Sequence, residues 1–241
     1  MPPAAPHMPP RVRLWRSIFG LGPIDALLKQ RARRLLELSG WTSRLEPAGR
    51  YIDIGCGAGH VVDRILRAAP GDVRYLAIDP VWTPAAPVLR RTRARYAERL
   101  LFARGDGRNL PAPDGGFDGA SIVFVLHHVP FDWQERILAE ARRVLKPGAL
   151  LLLVEDTPEN QAEWDATVKA DRRFNFESKE EEHFYRSRAD WRALLGRLGF
   201  EVLEETGFEQ DRLARPIPPT PGAPRRGLVH HASFLLRKVA T

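Results

Sequence analysis

Residues 51–59 read Tyr-Ile-Asp-Ile-Gly-Cys-Gly-Ala-Gly, and this stretch decides the fold of the chain. Residues 51–54 form a short strand-like run, and the three glycines that follow it predict a tight turn. The helical spacing of apolar residues over 61–66 then predicts a helix, which Pro70 and Gly71 end. A strand that enters a helix through such a turn is typical of α/β proteins, because glycines let the backbone approach a bound ligand closely.

Outward from this turn, predicted strands alternate with predicted helices along the rest of the chain. The further strands are expected at residues 74–78, 101–104, 117–125, 149–155, 200–205 and 232–238. The strand at 149–155 is apolar on both faces, as a central strand of a parallel sheet must be. No helix is predicted between the final two strands, so they are expected to pair antiparallel. The pattern therefore predicts an α/β protein with a doubly wound sheet that helices cover on both faces.

Three further segments surround this predicted core. Residues 1–22 are expected to form a disordered leader followed by a short basic and apolar segment, because five of the first ten residues are proline. Residues 23–40 carry apolar side chains at helical spacing with arginines opposite, which predicts an amino-terminal helix. Residues 157–186 are too long for a simple connection, and their aromatic residues indicate an irregular lid over a binding cleft. Residues 23–241 are thus predicted to form a single domain.

The composition limits the classes of function. The chain of 241 residues is 44% hydrophobic and 28% charged, which is typical of a globular protein with an apolar core. Its single cysteine, Cys56, excludes an intramolecular disulfide and a thiolate metal cluster, and it favours a reducing, cytoplasmic compartment. No apolar run approaches the roughly 20 residues that cross a bilayer. No transmembrane segment is therefore predicted.

The net charge of +7 is concentrated near the amino terminus, where basic residues outnumber acidic ones over residues 1–50. Most of the basic residues are arginines, which reflects a compositional bias as much as a nucleic-acid surface. We therefore do not expect a nucleic acid as the partner. For the basic and apolar residues 11–22, peripheral contact with a membrane surface stays open beside packing over a cleft.

Asp79 indicates the kind of ligand that the glycine turn holds. It ends the second predicted strand, 22 residues beyond Gly57, where an acidic side chain can accept the ribose hydroxyls of a nucleoside. A dinucleotide site would need its third glycine three residues after the second, but position 60 is His60 and the third glycine is Gly59. The motif also opens with Asp53, whose carboxylate would repel a pyrophosphate but suits the ammonium of an amino-acid moiety. The spacing predicts a cofactor that contains a nucleoside.

At these positions the sequence resembles the class I S-adenosylmethionine-dependent methyltransferases, in particular the small-molecule group that includes quinone and lipid-precursor methylases. Five separated motifs carry the resemblance, at residues 53–59, 79, 105–107, 117–129 and 143–148. The resemblance implies a Rossmann-like, doubly wound, seven-stranded sheet of order 3-2-1-4-5-7-6 whose last strand is antiparallel.

The same resemblance assigns residues to S-adenosylmethionine as the cofactor. The expected contacts are Asp53, Gly55, Gly57 and Gly59 for its methionine end, Asp79 for its ribose, Asp106 with Gly107 for its adenine, and the backbone near Val123 as lining. Glu155 and Asp156, at the end of the fifth predicted strand, could hold an amine or a metal, but no second group of metal ligands accompanies them in the sequence. No metal is therefore expected.

His127 and His128 are the candidate catalytic residues, and His128 is the better one. They follow the fourth predicted strand, at the edge where parallel sheets place their active sites. An imidazole at this edge can take a proton from an acceptor near neutral pH. A structural role for the pair, at the entrance of the next helix, is the alternative.

Methyl transfer to an oxygen, nitrogen or carbon of a small aromatic or lipid-like molecule is the function that these motifs predict. Two alternatives stay open. One is a methyltransferase that acts on RNA or another nucleic acid, and the other is a non-catalytic, S-adenosylmethionine-binding partner of another enzyme. Neither the identity of the acceptor nor the oligomeric state follows from the sequence.

Overall fold

The computed structural model describes residues 23–80, 87–175, 182–210, 216–217 and 229–239. The leader expected at residues 1–22 lies outside these residues. The helix expected at residues 23–40 is present as α1 (Pro23–Ser39). It ends at Gly40, which has a φ of 60° and so adopts the left-handed conformation that commonly follows a helix.

An eight-stranded sheet forms the centre of the described structure. Its strands are β1 (Arg50–Ile54), β2 (Arg74–Asp79), β3 (Leu100–Arg104), β4 (Phe117–Val123), β5 (Leu145–Asp156), β6 (Phe200–Gln210), β7 (Pro216–Ile217) and β8 (Val229–Lys238). Their order across the sheet is β3-β2-β1-β4-β5-β8-β6-β7. Apart from β7, a two-residue strand at the edge, this is the order predicted for seven strands, so that prediction is confirmed.

The directions of the strands bring chemically active side chains to one edge of the sheet. β1 to β5 run parallel, so their carboxyl ends lie on the same side. β8 pairs antiparallel with both β5 and β6, which confirms the predicted direction of the last strand. This pairing sets Asp156, at the end of β5, opposite His231, near the beginning of β8.

Helices and two apolar cores cover the sheet on both faces. The helices after α1 are α2 (His60–Ala68), α3 (Pro87–Arg95), α4 (Phe131–Val144), α5 (Gln161–Asn175) and α6 (Arg188–Arg197), and the 3-10 turns are Trp41–Arg44 and Leu126–His128. Along β5, Leu151 and Leu153 enter one core, and Leu152 and Val154 enter the other. β5 is therefore apolar on both faces, as predicted for a central strand. Within the described part of the chain, no helix has both the length and the apolar character that a membrane span needs.

The expectation that residues 157–186 are irregular is wrong, because α5 lies within them. The buried face of α5 is polar. Thr167 and Asp171, four residues apart, are buried, whereas Trp164 and Val168 are only half-buried. Apolar periodicity does not detect a helix that turns polar groups towards the core.

Candidate active site

The glycine turn after β1 is fixed to the end of β2 by backbone hydrogen bonds. The amides of Gly55 and Cys56 both donate to the carbonyl of Ile78, at 2.7 and 3.0 Å. Gly55 has a φ of 80°, and a Cβ at this position would lie 2.3 Å from Val125 Cγ2. Glycine is therefore required here by both conformation and space. Because Val125 follows β4, the turns after two neighbouring strands touch at Gly55.

Gly57 and Gly59 complete the turn, with φ angles of 51° and 80°. In contrast to Gly55, a Cβ at Gly57 would meet no atom within 4 Å, so open space faces this residue. The Gly57 amide donates to Asp79 Oδ2 at 2.8 Å. Gly59 directly precedes the first turn of α2. The predicted methionine-binding glycines thus lie beside the predicted ribose-binding carboxylate, which already holds the turn in place.

Two buried carboxylates, those of Asp53 and Asp79, flank this turn. Their residues are 2% and 7% exposed. Asp53 Oδ1 accepts a hydrogen bond of 2.6 Å from the Ser121 hydroxyl. Burial raises the pKa of Asp53 to about 7; the Ser121 hydrogen bond opposes this shift, and the negative charge of Asp79 adds to it. A cationic group bound beside Asp53 would favour the ionised carboxylate and so reverse the shift.

Asp106 and Gly107 follow β3, and the carboxylate of Asp106 already has a strong partner. It accepts from the backbone amide of Arg108 at 3.0 Å and from the guanidinium of Arg108 at 2.6 Å, which lowers the pKa of Asp106. The guanidinium carbon of Arg108 lies 3.4 Å from the centre of the Trp133 ring. Sequence reasoning missed Arg108 and Trp133, because 25 residues separate them and neither belongs to a motif. An adenine bound by Asp106 would share this carboxylate with Arg108.

Val123 ends β4, the strand between β1 and β5, and it is half-buried. The next residue, Phe124, has a φ of 56°, and its amide donates to the carbonyl of Val154 at 2.8 Å. The chain therefore bends sharply after Val123. This bend directs the following turn, Leu126–His128, over the carboxyl end of β5.

Glu155, near the end of β5, binds the turn Leu126–His128 through both of its carboxylate oxygens. Its Oε1 accepts from the amides of Val125 and Leu126 at 3.0 and 2.7 Å, and its Oε2 lies 2.7 Å from His127 Nδ1. Burial alone would lower the pKa of His127, but the charges of Glu155, Asp171 and Asp156 outweigh it and raise the pKa to about 10. His127 is 2% exposed. Its position is thus fixed by a carboxylate that also fixes the backbone before it.

His128 has a different environment from His127. It is half-buried, and its ring centre lies 4.1 Å from that of His127 and 6.0 Å from that of His183. His183 stacks in turn on Tyr185, with ring centres 5.5 Å apart and an interplanar angle of 6°. Of the two predicted catalytic histidines, only His128 is therefore partly exposed.

Six ionisable residues, which we call the ionic cluster, meet at this edge of the sheet: Arg31, His127, Glu155, Asp156, Asp171 and His231. Asp156 pairs with His231 Nδ1, and its Oδ2 lies 3.8 Å from His127 Nδ1. Asp171 Oδ2 lies 3.6 Å from His127 Nε2 and accepts from the Tyr185 hydroxyl at 2.5 Å.

Arg31 reaches the ionic cluster from α1, where its guanidinium carbon lies 3.8 Å from the centre of the Phe124 ring. α1 therefore contributes a charged side chain to this edge of the sheet. Sequence reasoning singled out Glu155 and Asp156 but missed Arg31, Asp171 and His231. The only sequence signal for these three was an ionisable residue on an inward-facing position of a helix or strand.

The comparisons with known proteins agree with this geometry. Residues 52–148 match the family model described as a methyltransferase domain. A ubiquinone/menaquinone biosynthesis C-methyltransferase of Methylobacterium nodulans is 37% identical over 113 residues, which are 47% of this chain and 44% of that protein. A 27-O-demethylrifamycin SV methyltransferase of Amycolatopsis mediterranei is 32% identical over 129 residues, which are 54% of this chain and 46% of that protein. The chain thus spans less than half the length of these two relatives.

A solved structure shows the same fold. A SAM-dependent methyltransferase from Methanosarcina mazei superposes with a TM-score of 0.59 at 23% identity, over 83% of this chain and 96% of that one. Residues 52–148 thus match the methyltransferase domain model, and the described structure has the fold of the class I S-adenosylmethionine-dependent methyltransferases.

Proposed function

We propose that this protein transfers a methyl group from S-adenosylmethionine to a small-molecule acceptor. The observation that carries the proposal is the pair of buried carboxylates, Asp53 and Asp79, on either side of the open space at Gly57. S-adenosylmethionine brings an ammonium and a sulfonium at its amino-acid end and two hydroxyls on its ribose. Carboxylates bind both kinds of group, so this pair suits the cofactor that the family uses.

Each carboxylate has a separate part in this proposal. Asp53 receives the ammonium of the cofactor, which supplies the positive charge that its buried carboxylate needs in order to ionise. Asp79 keeps the Gly57 amide on its Oδ2, and its carboxylate is proposed to accept also from the ribose hydroxyls. Asp106 and Gly107 are proposed for the adenine, and the backbone at Val123 for the lining between the two ends.

The acceptor is proposed to be aromatic or lipid-like. One relative is named for quinone biosynthesis and the other for a rifamycin, and the described lid residues present rings to the same edge of the sheet. Tyr185 stacks on His127 with ring centres 5.4 Å apart, and Trp164 of α5 meets Tyr185 edge-on at 4.9 Å. Tyr185 is buried between His127 and His183, so the half-buried ring of Trp164 is the one that offers apolar surface to a ring-containing or acyl acceptor.

His128 is the proposed base for an acceptor that must lose a proton. It is half-buried and lies beside the lid, whereas His127 is buried and bound through its Nδ1 to Glu155. Methyl transfer from a sulfonium is an in-line displacement, so the protein's main contribution is to align the acceptor atom with the methyl group. His127 is a positioning residue here, because it acts through the backbone and the ring of His128.

A cytoplasmic place of action is part of the proposal, supported by the free, buried Cys56. Contact of the amino-terminal segment with a membrane surface would bring the enzyme to a lipid-like acceptor. This membrane contact is a separate part of the proposal.

Two measurements test the function. Calorimetry on the full chain should show binding of S-adenosylmethionine, and Asp53→Asn and Asp79→Ala should each weaken it. A cell extract supplied with the enzyme and methyl-labelled cofactor should then show label in organic-extractable small molecules. Label in RNA instead would replace this proposal by the nucleic-acid alternative, and cofactor binding without any transfer would replace it by the non-catalytic one.

A matched pair of variants tests His128. His128→Gln should lower the turnover number and leave the affinity for the cofactor within about twofold. His128 follows β4, whereas Asp53 and Asp79, which are proposed to bind the cofactor, lie on β1 and β2. Arg136→Gln, at an exposed position of α4, is the control and should leave the turnover number unchanged.

A further inference from the structure

Beyond the positioning role proposed for His127, the ionic cluster contains an arrangement of three side chains to which methyl transfer assigns no role. One nitrogen of His127 and one oxygen each of Asp156 and Asp171 lie within 4.8 Å of one another. All three residues are at least nine-tenths buried. Ligands at metal–ligand distances of about 2.0–2.2 Å surround a common point at separations of this order.

We propose that His127, Asp156 and Asp171 bind one divalent first-row transition-metal ion, with His231 as a fourth ligand beside Asp156. Imidazole together with carboxylate is the ligand set of Mn²⁺, Fe²⁺ and Zn²⁺, whereas Mg²⁺ prefers oxygen ligands alone. The proposal differs from the expectation drawn from the sequence, in which no metal is bound. The site could not be recognised in the sequence, because its ligands come from four separate segments: the turn after β4, β5, α5 and β8.

Asp156 supplies an observation that is independent of the spacing. Its Oδ1 pairs with His231 Nδ1, but its Oδ2 accepts no hydrogen bond from the described residues, although Asp156 is only 1% exposed. A buried carboxylate oxygen without a hydrogen bond is unfavourable unless a cation compensates it. A metal ion coordinated by Asp156 would meet this requirement.

Neighbouring groups hydrogen-bond to two of the three ligands and orient them, as groups around a bound metal ion do. His127 turns Nδ1 to Glu155 Oε2, which leaves Nε2 as the ligand atom that faces Asp171. A carboxylate that accepts from the far nitrogen of an imidazole fixes the tautomer and the orientation of a metal-binding histidine. The Tyr185 hydroxyl likewise donates to Asp171 Oδ2 and so orients that carboxylate.

The charges of the cluster suit a divalent ion. Glu155, Asp156 and Asp171 carry three negative charges, and Arg31 compensates one of them. The remaining two match one divalent cation once the ion has displaced the proton that His127 carries in the metal-free protein, because metal-binding imidazoles are neutral. The ion would also join α5, through Asp171, to the strand ends that carry His127 and Asp156. It would therefore bind the lid helix to the sheet.

Metal binding to the untagged full chain tests the proposal without reference to activity. The protein is treated with EDTA, freed of chelator, and titrated calorimetrically with MnCl₂ and, separately, with ZnCl₂. We expect one equivalent of at least one of these ions to bind with a Kd of about 10 μM or tighter, and to raise the Tm by several degrees. No stoichiometric binding of either ion at 1 mM would overturn the proposal.

Variants then assign the ligands. Asp171→Asn and Asp156→Asn should each weaken metal binding at least 100-fold, while Asp165→Asn, an exposed position on the same helix α5, should leave it unchanged. S-adenosylmethionine binding and the far-ultraviolet circular dichroism of each variant show whether it is folded. Undiminished metal binding by folded Asp171→Asn would show that the ion binds elsewhere, among the other histidines. Failure of methyl transfer would leave these binding results intact, so the two proposals fail separately.

Discussion

The pKa of Asp53 makes the affinity for S-adenosylmethionine depend on pH. The carboxyl group is buried, and its pKa of about 7 means that half of the ligand-free protein carries it protonated at neutral pH. A bound ammonium favours the ionised form, so the cofactor binds to the fraction of protein in which Asp53 is charged. The affinity should therefore fall as the pH falls through 7.

The size of the effect follows from that pKa. The ionised fraction is about one tenth at pH 6.0 and about three quarters at pH 7.5, so the Kd for S-adenosylmethionine should be about eightfold higher at pH 6.0. An α-amino group with a pKa of about 7.7–8.0 is about 60–75% charged at pH 7.5, so deprotonation of the ligand reduces this eightfold difference to about five- to sixfold. At pH 7.0, binding should release about half a proton per cofactor.

Isothermal titration calorimetry measures both quantities. The Kd is determined at pH 6.0, 6.5, 7.0 and 7.5, and the release of protons is obtained at pH 7.0 from two buffers that differ in ionisation enthalpy. Asp53→Asn is the control, because it keeps the hydrogen bond acceptor for Ser121 but has no proton to lose. It should bind more weakly and without pH dependence. A wild-type Kd that is constant over this range, or uptake of protons on binding, would refute the assignment of Asp53 to the ammonium.

The remaining predictions concern stability and the glycine turn. Because the pKa of Asp53 is raised on folding, its contribution opposes folding above pH 7 and vanishes below the unfolded pKa of about 4, so Asp53→Asn should raise the Tm at pH 8 and not at pH 4. Asp79→Ala should weaken cofactor binding by about 2 kcal/mol, since ribose hydroxyls lose their acceptor, with an unchanged circular dichroism spectrum; unaltered calorimetric affinity would remove Asp79 from the site. Gly55→Ala should lower the free energy of unfolding in urea by about 3 kcal/mol or more, and Gly57→Ala by only about 1 kcal/mol, because only the first added Cβ meets Val125; equal losses would contradict this reasoning. Trp191→Ala, in a fully buried position of α6, should cost about 3–5 kcal/mol in the same urea assay, and a loss below 1 kcal/mol would argue against the packing described.

The parts of the fold that could be predicted are those whose signal is local. Three glycines at alternate positions mark the turn at 55–59. The strand order follows from the alternation of apolar strands and helices together with the resemblance to a known family. α5 could not be predicted in this way, because Thr167 and Asp171 occupy its buried face. A polar face towards the core requires polar partners elsewhere, and no window of adjacent residues shows them.

In the candidate site, too, the residues that could be predicted are those with a local signal in the sequence. Asp53 and Asp79 were predictable, because each stands directly at the end of a strand that the sequence marks clearly. Asp171 and His231 were not, since their role depends on which distant residues face them across the edge of the sheet. Asp106 is an intermediate case: its position after β3 was predicted, but its pairing with Arg108 depends on side-chain orientation that the motif does not contain.

Phe124 lies between the glycine turn and the ionic cluster and contacts residues that belong to both regions. Its φ of 56° is unfavourable for a residue with a side chain, by about 1–3 kcal/mol, and must be held by its surroundings. Its amide extends the pairing of β4 with β5 through Val154, and its ring packs under Arg31 and, at 5.0 Å between ring centres, against His231. The bend that results sends Val125 against the glycine turn. The same contacts that hold Phe124 beside the ionic cluster therefore also fix the position of Val125 against Gly55.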